Sequence, residues 1–203
     1  MDADMIFRIA MVLEFIGYQI PRSYYRRQAR KTRIEEDSGE SELGESKLRL
    51  VLMGLSGLGA NLVGLLWIIN PNWLAWSNLN LPLWLRWVGL GIGVVSIMMS
   101  YFVHRTLGKS FTPTLQTTEG HTLVTEGIYG RIRHPMYTTF FMLFASSFLM
   151  TTNWLIALFG LIYGILIFNR VRAEESMMIN TFGNQYRDYM QKTGRFLPKF
   201  SDS

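Results

Sequence analysis

The chain has 203 residues, 49% of them hydrophobic, with a formal charge of +5 and no cysteine. Without cysteine there is no disulfide framework, no thiolate nucleophile and no sulfur ligand for zinc, and the 3 scattered histidines make a poor metal site. The basic balance does not point to nucleic acid, because the charges lie between apolar runs of membrane-spanning length rather than on one face.

Residues 5–20 are apolar apart from Arg8, Glu14 and Gln19, which predicts a first membrane helix. Glu14 falls mid-span, where a carboxylate is costly unless it faces protein. It serves either a polar cavity or, as the stronger expectation, a structural hydrogen bond to a neighbouring helix. Pro21 is expected to end this helix. A basic run and then an acidic run follow, and 21–47 reads as a charged linker. The N-terminus lacks a basic region followed by a small-residue cleavage site, so no removable signal is expected. The C-terminus carries no lipidation motif.

Residues 48–69 form the second span. Its Gly54, Gly57 and Gly59 faintly resemble a nucleotide loop, but no strand precedes them, so they are read as helix-packing positions. A proline- and tryptophan-bearing connection, 70–82, leads to the third span, 83–103, where Gly89 and Gly93 repeat the small-residue spacing. Pro135 can open the fourth helix, since its missing N–H costs nothing in the first turn. Thr151, Thr152 and Asn153 make a tight turn, and a fifth helix begins at Trp154 and is apolar to Phe168. The last two helices make a hairpin, 135–168. Each apolar part is short for a hydrocarbon core of about 30 Å, so both must extend into polar flanks. That sets 134–137 beside 169–175 at one membrane boundary. Phe182, Tyr186 and Tyr189 give the tail, 169–195, an amphipathic helical pattern, while the adjacent Glu174 and Glu175 cannot both point one way.

The expectation is an all-α integral membrane bundle of about five spans, divided into N-terminal helices (1–103) and a region holding the hairpin and its polar flanks (104–203). All but Arg8 and Arg86 of the 20 Lys and Arg residues lie in 21–49, 104–133 and 170–203. By the positive-inside rule those segments and the C-terminus are cytoplasmic and the N-terminus is outside.

The segment 121–137, HTLVTEGIYGRIRHPMY, concentrates two histidines, two arginines, two tyrosines and a His-Pro step. With Arg131 or Arg133, Arg170 and Glu174, it can hold a ligand that carries both carboxylate and ammonium groups, or simply salt-bridge two helix ends. Together with RVRAEES and FGNQYRDYM downstream, this segment resembles the isoprenylcysteine carboxyl methyltransferases and, more broadly, membrane methyltransferases that include phospholipid N-methyltransferases. The resemblance covers about 107–198.

That resemblance implies an S-adenosylmethionine-dependent enzyme with its cofactor site on the cytoplasmic side, yielding S-adenosylhomocysteine. It places Gln116, His121, Thr122, Leu123, Val124, Tyr129, His134, Pro135, Met136 and Tyr137 at the cofactor, closed by Glu174, with Arg170 at the methyl-accepting carboxylate. Arg170 and Glu174 are thus the implied catalytic residues. The implied acceptor is a prenylcysteine-like or other lipophilic carboxylate entering from the bilayer among membrane lipids. An amine acceptor would require a base, for which His121 and His134 are candidates. A nicotinamide-dependent membrane reductase and a non-catalytic scaffold are the competing readings. Neither the acceptor's identity nor an oligomeric state is legible.

Overall fold

The computed structural model describes residues 3–35, 47–107 and 123–199. Among the described residues six α-helices carry the fold: α1 (Ala3–Glu35), α2 (Lys47–Ile69), α3 (Leu83–Leu107), α4 (Pro135–Thr151), α5 (Trp154–Phe182) and α6 (Asn184–Lys192). Short 3-10 turns occupy Pro71–Ser77 and Gly127–Gly130. Among the described residues there is no β-strand, only two isolated bridges, Asn78 with Asn153 and Ile132 with Gly194. The all-α expectation holds.

Three helices, α2, α3 and α5, are long and apolar enough to cross a membrane. Their outward faces carry exposed Leu58, Leu62, Trp84 and Leu161, a pattern that suits lipid rather than water as solvent. The other two expected spans are α4, of 17 residues, and the apolar first half of α1.

Pro21 does not end α1; the helix continues to Glu35. Proline removes one backbone hydrogen bond, but in an apolar setting nearby hydroxyls can reinforce the turn. Here the Ser23 hydroxyl donates to the Ile20 carbonyl at 3.0 Å. The first part of the expected 21–47 linker is therefore helix, and 36–46 lies outside the described residues. The tail also differs from expectation. α5 runs on to Phe182, breaks at Gly183 with φ of 56°, and restarts as α6. After α6 the chain is irregular and bent rather than helical.

α3 packs along α4 through a seam of buried small residues, Gly89, Gly93, Ser96 and Ser100. Small residues let helix backbones approach. A Cβ on Gly89 would sit 2.7 Å from the Leu149 Cβ, and Ser96 donates across the seam to the Thr139 carbonyl at 3.0 Å. Gly93 also leaves room for Glu14: a Cβ there would lie 2.7 Å from its Oε1. The buried Glu14 accepts from Ser147 of α4 at 3.4 Å, in line with the structural hydrogen bond expected of it.

α2 lies along α5, where Ser56 donates to the Phe159 carbonyl at 2.7 Å. Of the three glycines at its start, only Gly59 serves packing, against the Phe159 ring. Gly54 and Gly57 face open space, so the packing expectation fails for both.

The hairpin turn forms as expected. Thr152 takes the left-handed conformation with φ of 53°, and Asn153 caps α5 by accepting from the Leu155 amide. Asn153 is buried and donates to Ser77 at 2.7 Å, which ties the turn to the 70–82 connection. Nearby, Arg86 pairs with Asp4 at 2.7 Å and donates to the Met150 carbonyl at 2.8 Å. These contacts fix the α4–α5 register at one end of the bundle. They thereby decide which residues meet at the other end.

Candidate active site

At that other end, the first turn of α4 meets α5 above an apolar floor of Met53, Ile167 and Val171, with Phe141 and Tyr163 packed against it. Pro135 is buried at the first position of α4, with His134 as the residue before it. This start aims His134 and Tyr137, three residues apart, across to α5.

Glu174 is the hub. Its Oε1 accepts from the Tyr137 hydroxyl at 2.5 Å and from Arg170 Nε at 3.0 Å, one helical turn back on α5. Its Oε2 is 3.4 Å from His134 Nδ1. On the next residue, Glu175 Oε1 lies 3.4 Å from His134 Nε2 and accepts from Arg133 Nε at 3.1 Å. Arg195 holds both oxygens of Glu175. The two carboxylates diverge on the helix, yet one imidazole spans both, because its two nitrogens face opposite ways. Sequence spacing alone does not reveal that bridge.

Of the two arginines offered for the site, Arg133 is the one that reaches it, and Arg195 and Phe196 join it unannounced by the sequence; their placement has one cause. The chain after α6 returns beside 131–134. The Arg133 amide donates to the Gly194 carbonyl at 2.8 Å, and the His134 amide to the Arg195 carbonyl at 3.0 Å. The Arg133 side chain donates to the carbonyls of Met190 and Thr193. Phe196 then lies over His134, Phe141 and Phe168, with ring centroids 6.2, 5.5 and 5.9 Å away. Gly194 permits the close turn, since a Cβ there would collide with the Leu197 carbonyl. The only trace of this strap in the sequence is the run Thr-Gly-Arg-Phe after an amphipathic helix.

Burial by itself pushes the His134 imidazole down, but hydrogen bonds and charge from Glu174 and Glu175 outweigh it and hold the group above its ordinary value. Tyr129 is buried, and its carbonyl accepts from the Tyr189 hydroxyl at 2.6 Å. Burial, then Tyr189 and the Glu174 charge, push the Tyr129 phenol well up, so it stays neutral.

Of the residues expected at a cofactor, His134, Tyr137 and Glu174 converge directly, and Arg170, expected at the acceptor carboxylate, joins them, while Tyr129 is buried in the 3-10 turn before α4. Leu123 and Val124 are half-buried just before the 3-10 turn, and Met136 is half-buried in the first turn of α4. Gln116, His121 and Thr122 lie outside the described residues.

Residues 87–180, which contain most of this geometry, match the family model described as the isoprenylcysteine carboxyl methyltransferase (ICMT) family. The match is to that segment, somewhat under half of the chain. Relatives named protein-S-isoprenylcysteine O-methyltransferase are 31% identical in Tribolium castaneum, over 57% of this chain and 42% of the relative. The mouse protein of that name is 30% identical, over 61% of this chain and 44% of its own length. In Arabidopsis thaliana, isoform B is 30% identical over 57% of this chain and 60% of the relative. The chain thus spans less than half of the beetle and mouse proteins. A solved structure of the eukaryotic intramembrane Ras methyltransferase ICMT superposes with a TM-score of 0.57 at 22% identity, covering 93% of this chain and 67% of that one. The fold is therefore that of an ICMT-like integral membrane helical bundle. The ICMT match ends at residue 180, so Arg195 and Phe196 close the site from beyond it.

Proposed function

We propose that this chain is an S-adenosylmethionine-dependent methyltransferase that esterifies a lipophilic carboxylate of the prenylcysteine type. The observation that carries this reading is the convergence of Tyr137, His134 and Arg170 on Glu174 within the ICMT segment. The donor set suits the methyl donor. Glu174 and Glu175 offer negative charge to a cationic ligand, His134 and Tyr137 offer polar hydrogens, and Phe196 offers an apolar ring. His134 Nε2 is buried and faces Glu175 Oε1 at 3.4 Å.

When bound, S-adenosylmethionine supplies a sulfonium-activated methyl carbon, which bonds to an acceptor oxygen as its carbon–sulfur bond breaks. The protein need not remove a proton, because a carboxylate acceptor is already ionised at neutral pH. Its work is positioning. Glu174 holds the cationic side of the donor, and Arg170, fixed by Glu174, presents positive charge to the acceptor carboxylate. Leu123, Val124, Tyr129, Pro135 and Met136 would form the largely apolar surround, and Gln116, His121 and Thr122 are the further residues the resemblance assigns to the cofactor. The two carboxylates beside His134 favour its imidazolium form, which cannot accept a proton. That favours a carboxylate over an amine acceptor.

The charge distribution supports a cytoplasmic site and C-terminus, with the N-terminus on the other side. A water-soluble donor then arrives from the cytoplasm and a lipophilic acceptor from the bilayer, among membrane lipids.

The test is calorimetry of detergent-purified protein with S-adenosylhomocysteine, then labelled methyl transfer to prenylcysteines, phospholipids and quinol-like lipids. Binding and labelling of the prenylcysteine are expected. Stabilisation by NADPH alone would replace the methyltransferase with a reductase.

A further inference from the structure

Two arginines of α1 that lie against the bundle, Arg8 and Arg22, have no carboxylate partner among the described residues, and of the two only Arg22 lies at the end of the bundle that holds the candidate site. Arg86, Arg133, Arg170 and Arg195 each pair with a carboxylate. Among the described residues, no carboxylate pairs with Arg22. The residue is half-buried on α1, just past the apolar run, with its guanidinium 4.9 Å from the centroid of the Phe140 ring on α4. An aromatic face compensates a cation only in part. A charge held this close to the hydrocarbon without a counter-ion is costly, and such residues mark ligand paths.

The groups around it are those an anion would need. Tyr18, one turn earlier on α1, is 3% exposed. Its hydroxyl lies 3.5 Å from the Thr139 hydroxyl, and its ring is 5.5 Å from Phe140. Phe140 in turn packs on Tyr163 of α5 at 5.4 Å. Beyond Arg22, Tyr25 stacks on the buried His104 of α3 at 6.0 Å.

This cluster joins the site described above. Phe140 is one turn along α4 from Tyr137, and Tyr163 lies two turns before Arg170 on the same face of α5. Arg22 over Phe140, and Phe140 on Tyr163, thus lead from α1 to the face of α5 that carries Arg170, and of the two arginines only Arg170 is tied to Glu174.

We propose that Arg22 is an acceptor-positioning residue, whose guanidinium holds the carboxylate of the lipophilic acceptor on the α1 side, with the Tyr18 and Tyr163 hydroxyls beside it. This rests on the methyltransferase reading for the acceptor's identity, but the anion preference can be measured without any methyl transfer. A phospholipid phosphate shares the chemistry of a carboxylate, and the experiment separates the two.

The probes are N-acetyl-S-farnesylcysteine and its methyl ester, with binding to the detergent-purified chain read by thermal shift in the absence of methyl donor. The wild type should bind the acid at least ~10-fold more tightly than the ester. Arg22→Gln should bring the two within about twofold, and Arg22→Lys should fall between, since an ammonium keeps the charge and loses the planar fork. S-adenosylhomocysteine affinity should stay within about twofold of wild type in Arg22→Gln, which reports an intact fold and cofactor site. In turnover, Arg22→Gln should raise KM for the acid far more than it lowers kcat. Arg170 accounts for any small preference that remains, and an acid preference undiminished in Arg22→Gln overturns the assignment. So does an Arg22-dependent affinity for anionic phospholipid vesicles with no acid preference. Loss of S-adenosylhomocysteine binding in the wild type would instead strike the methyltransferase reading and leave the anion test standing.

Discussion

The Tyr137 hydroxyl, in the first turn of α4, donates to Glu174 Oε1 on α5 at 2.5 Å, the same oxygen that accepts from Arg170. One carboxylate oxygen thus ties a helix start to a helix interior, and it does so beside the imidazole of His134. The arrangement leaves little freedom to any of the four side chains.

Glu174→Gln removes the charge while keeping the shape. It should weaken S-adenosylhomocysteine binding by at least ~10-fold, or about 1.4 kcal/mol, as read by calorimetry. Tyr137→Phe removes one hydrogen bond to a charged acceptor and should cost about 1.5–3 kcal/mol of stability. Undiminished affinity in Glu174→Gln would remove Glu174 from the donor site.

The two carboxylates that raise the His134 value make stability depend on pH. A raised folded value means the imidazolium is favoured in the folded state. The stabilisation is fully present below the unfolded value of 6.5 and is lost as pH rises through the folded value. Wild-type melting temperature should therefore be higher at pH 6 than at pH 8.5, by about 2–4 °C for each kcal/mol involved. His134→Gln should flatten that component, and an unchanged slope in the variant would locate the dependence elsewhere.

Gly89→Val tests the α3–α4 seam. The new Cβ would meet the Leu149 Cβ at 2.7 Å and the Met150 amide nitrogen at 3.0 Å, neither able to swing aside. Overpacking of this kind costs about 1–3 kcal/mol. Gly54→Ala is the contrast, since nothing lies within 4 Å of its Cβ, and alanine gains up to about 1 kcal/mol of helix propensity. Melting temperatures should move in opposite directions.

Phe196→Ala tests the strap. The ring is half-buried over His134, Phe141 and Phe168. Its loss should cost about 2 kcal/mol, below the ~3–5 of a fully buried phenylalanine. Hydrogen exchange at the Arg133 and His134 amides, which donate to Gly194 and Arg195, should quicken. Unaltered exchange there would show that Phe196 does not hold the strap in place.

The sequence by itself determined the apolar helices, the start of α4 at Pro135 and the turn capped by Asn153. Each depends on local quantities: apolar length, a missing N–H, a short side chain that accepts from its own backbone. It also placed Arg170 and Glu174 on one face, because four residues make about one turn. The family likeness of 121–137 and 170–175 was visible for the same reason, since motif and spacing are written in order. Tertiary structure alone decided the rest. Pro21 continues a helix because its surroundings are apolar and Ser23 reinforces the turn. Gly59 packs while Gly54 and Gly57 do not, which depends on where Phe159 of α5 lies. His134 joins Glu174 to Glu175, and Arg195 reaches Glu175 only because the chain folds back along 131–134. These contacts depend on the register of the hairpin and the path of the returning strap, and neither is a property of any local run of residues.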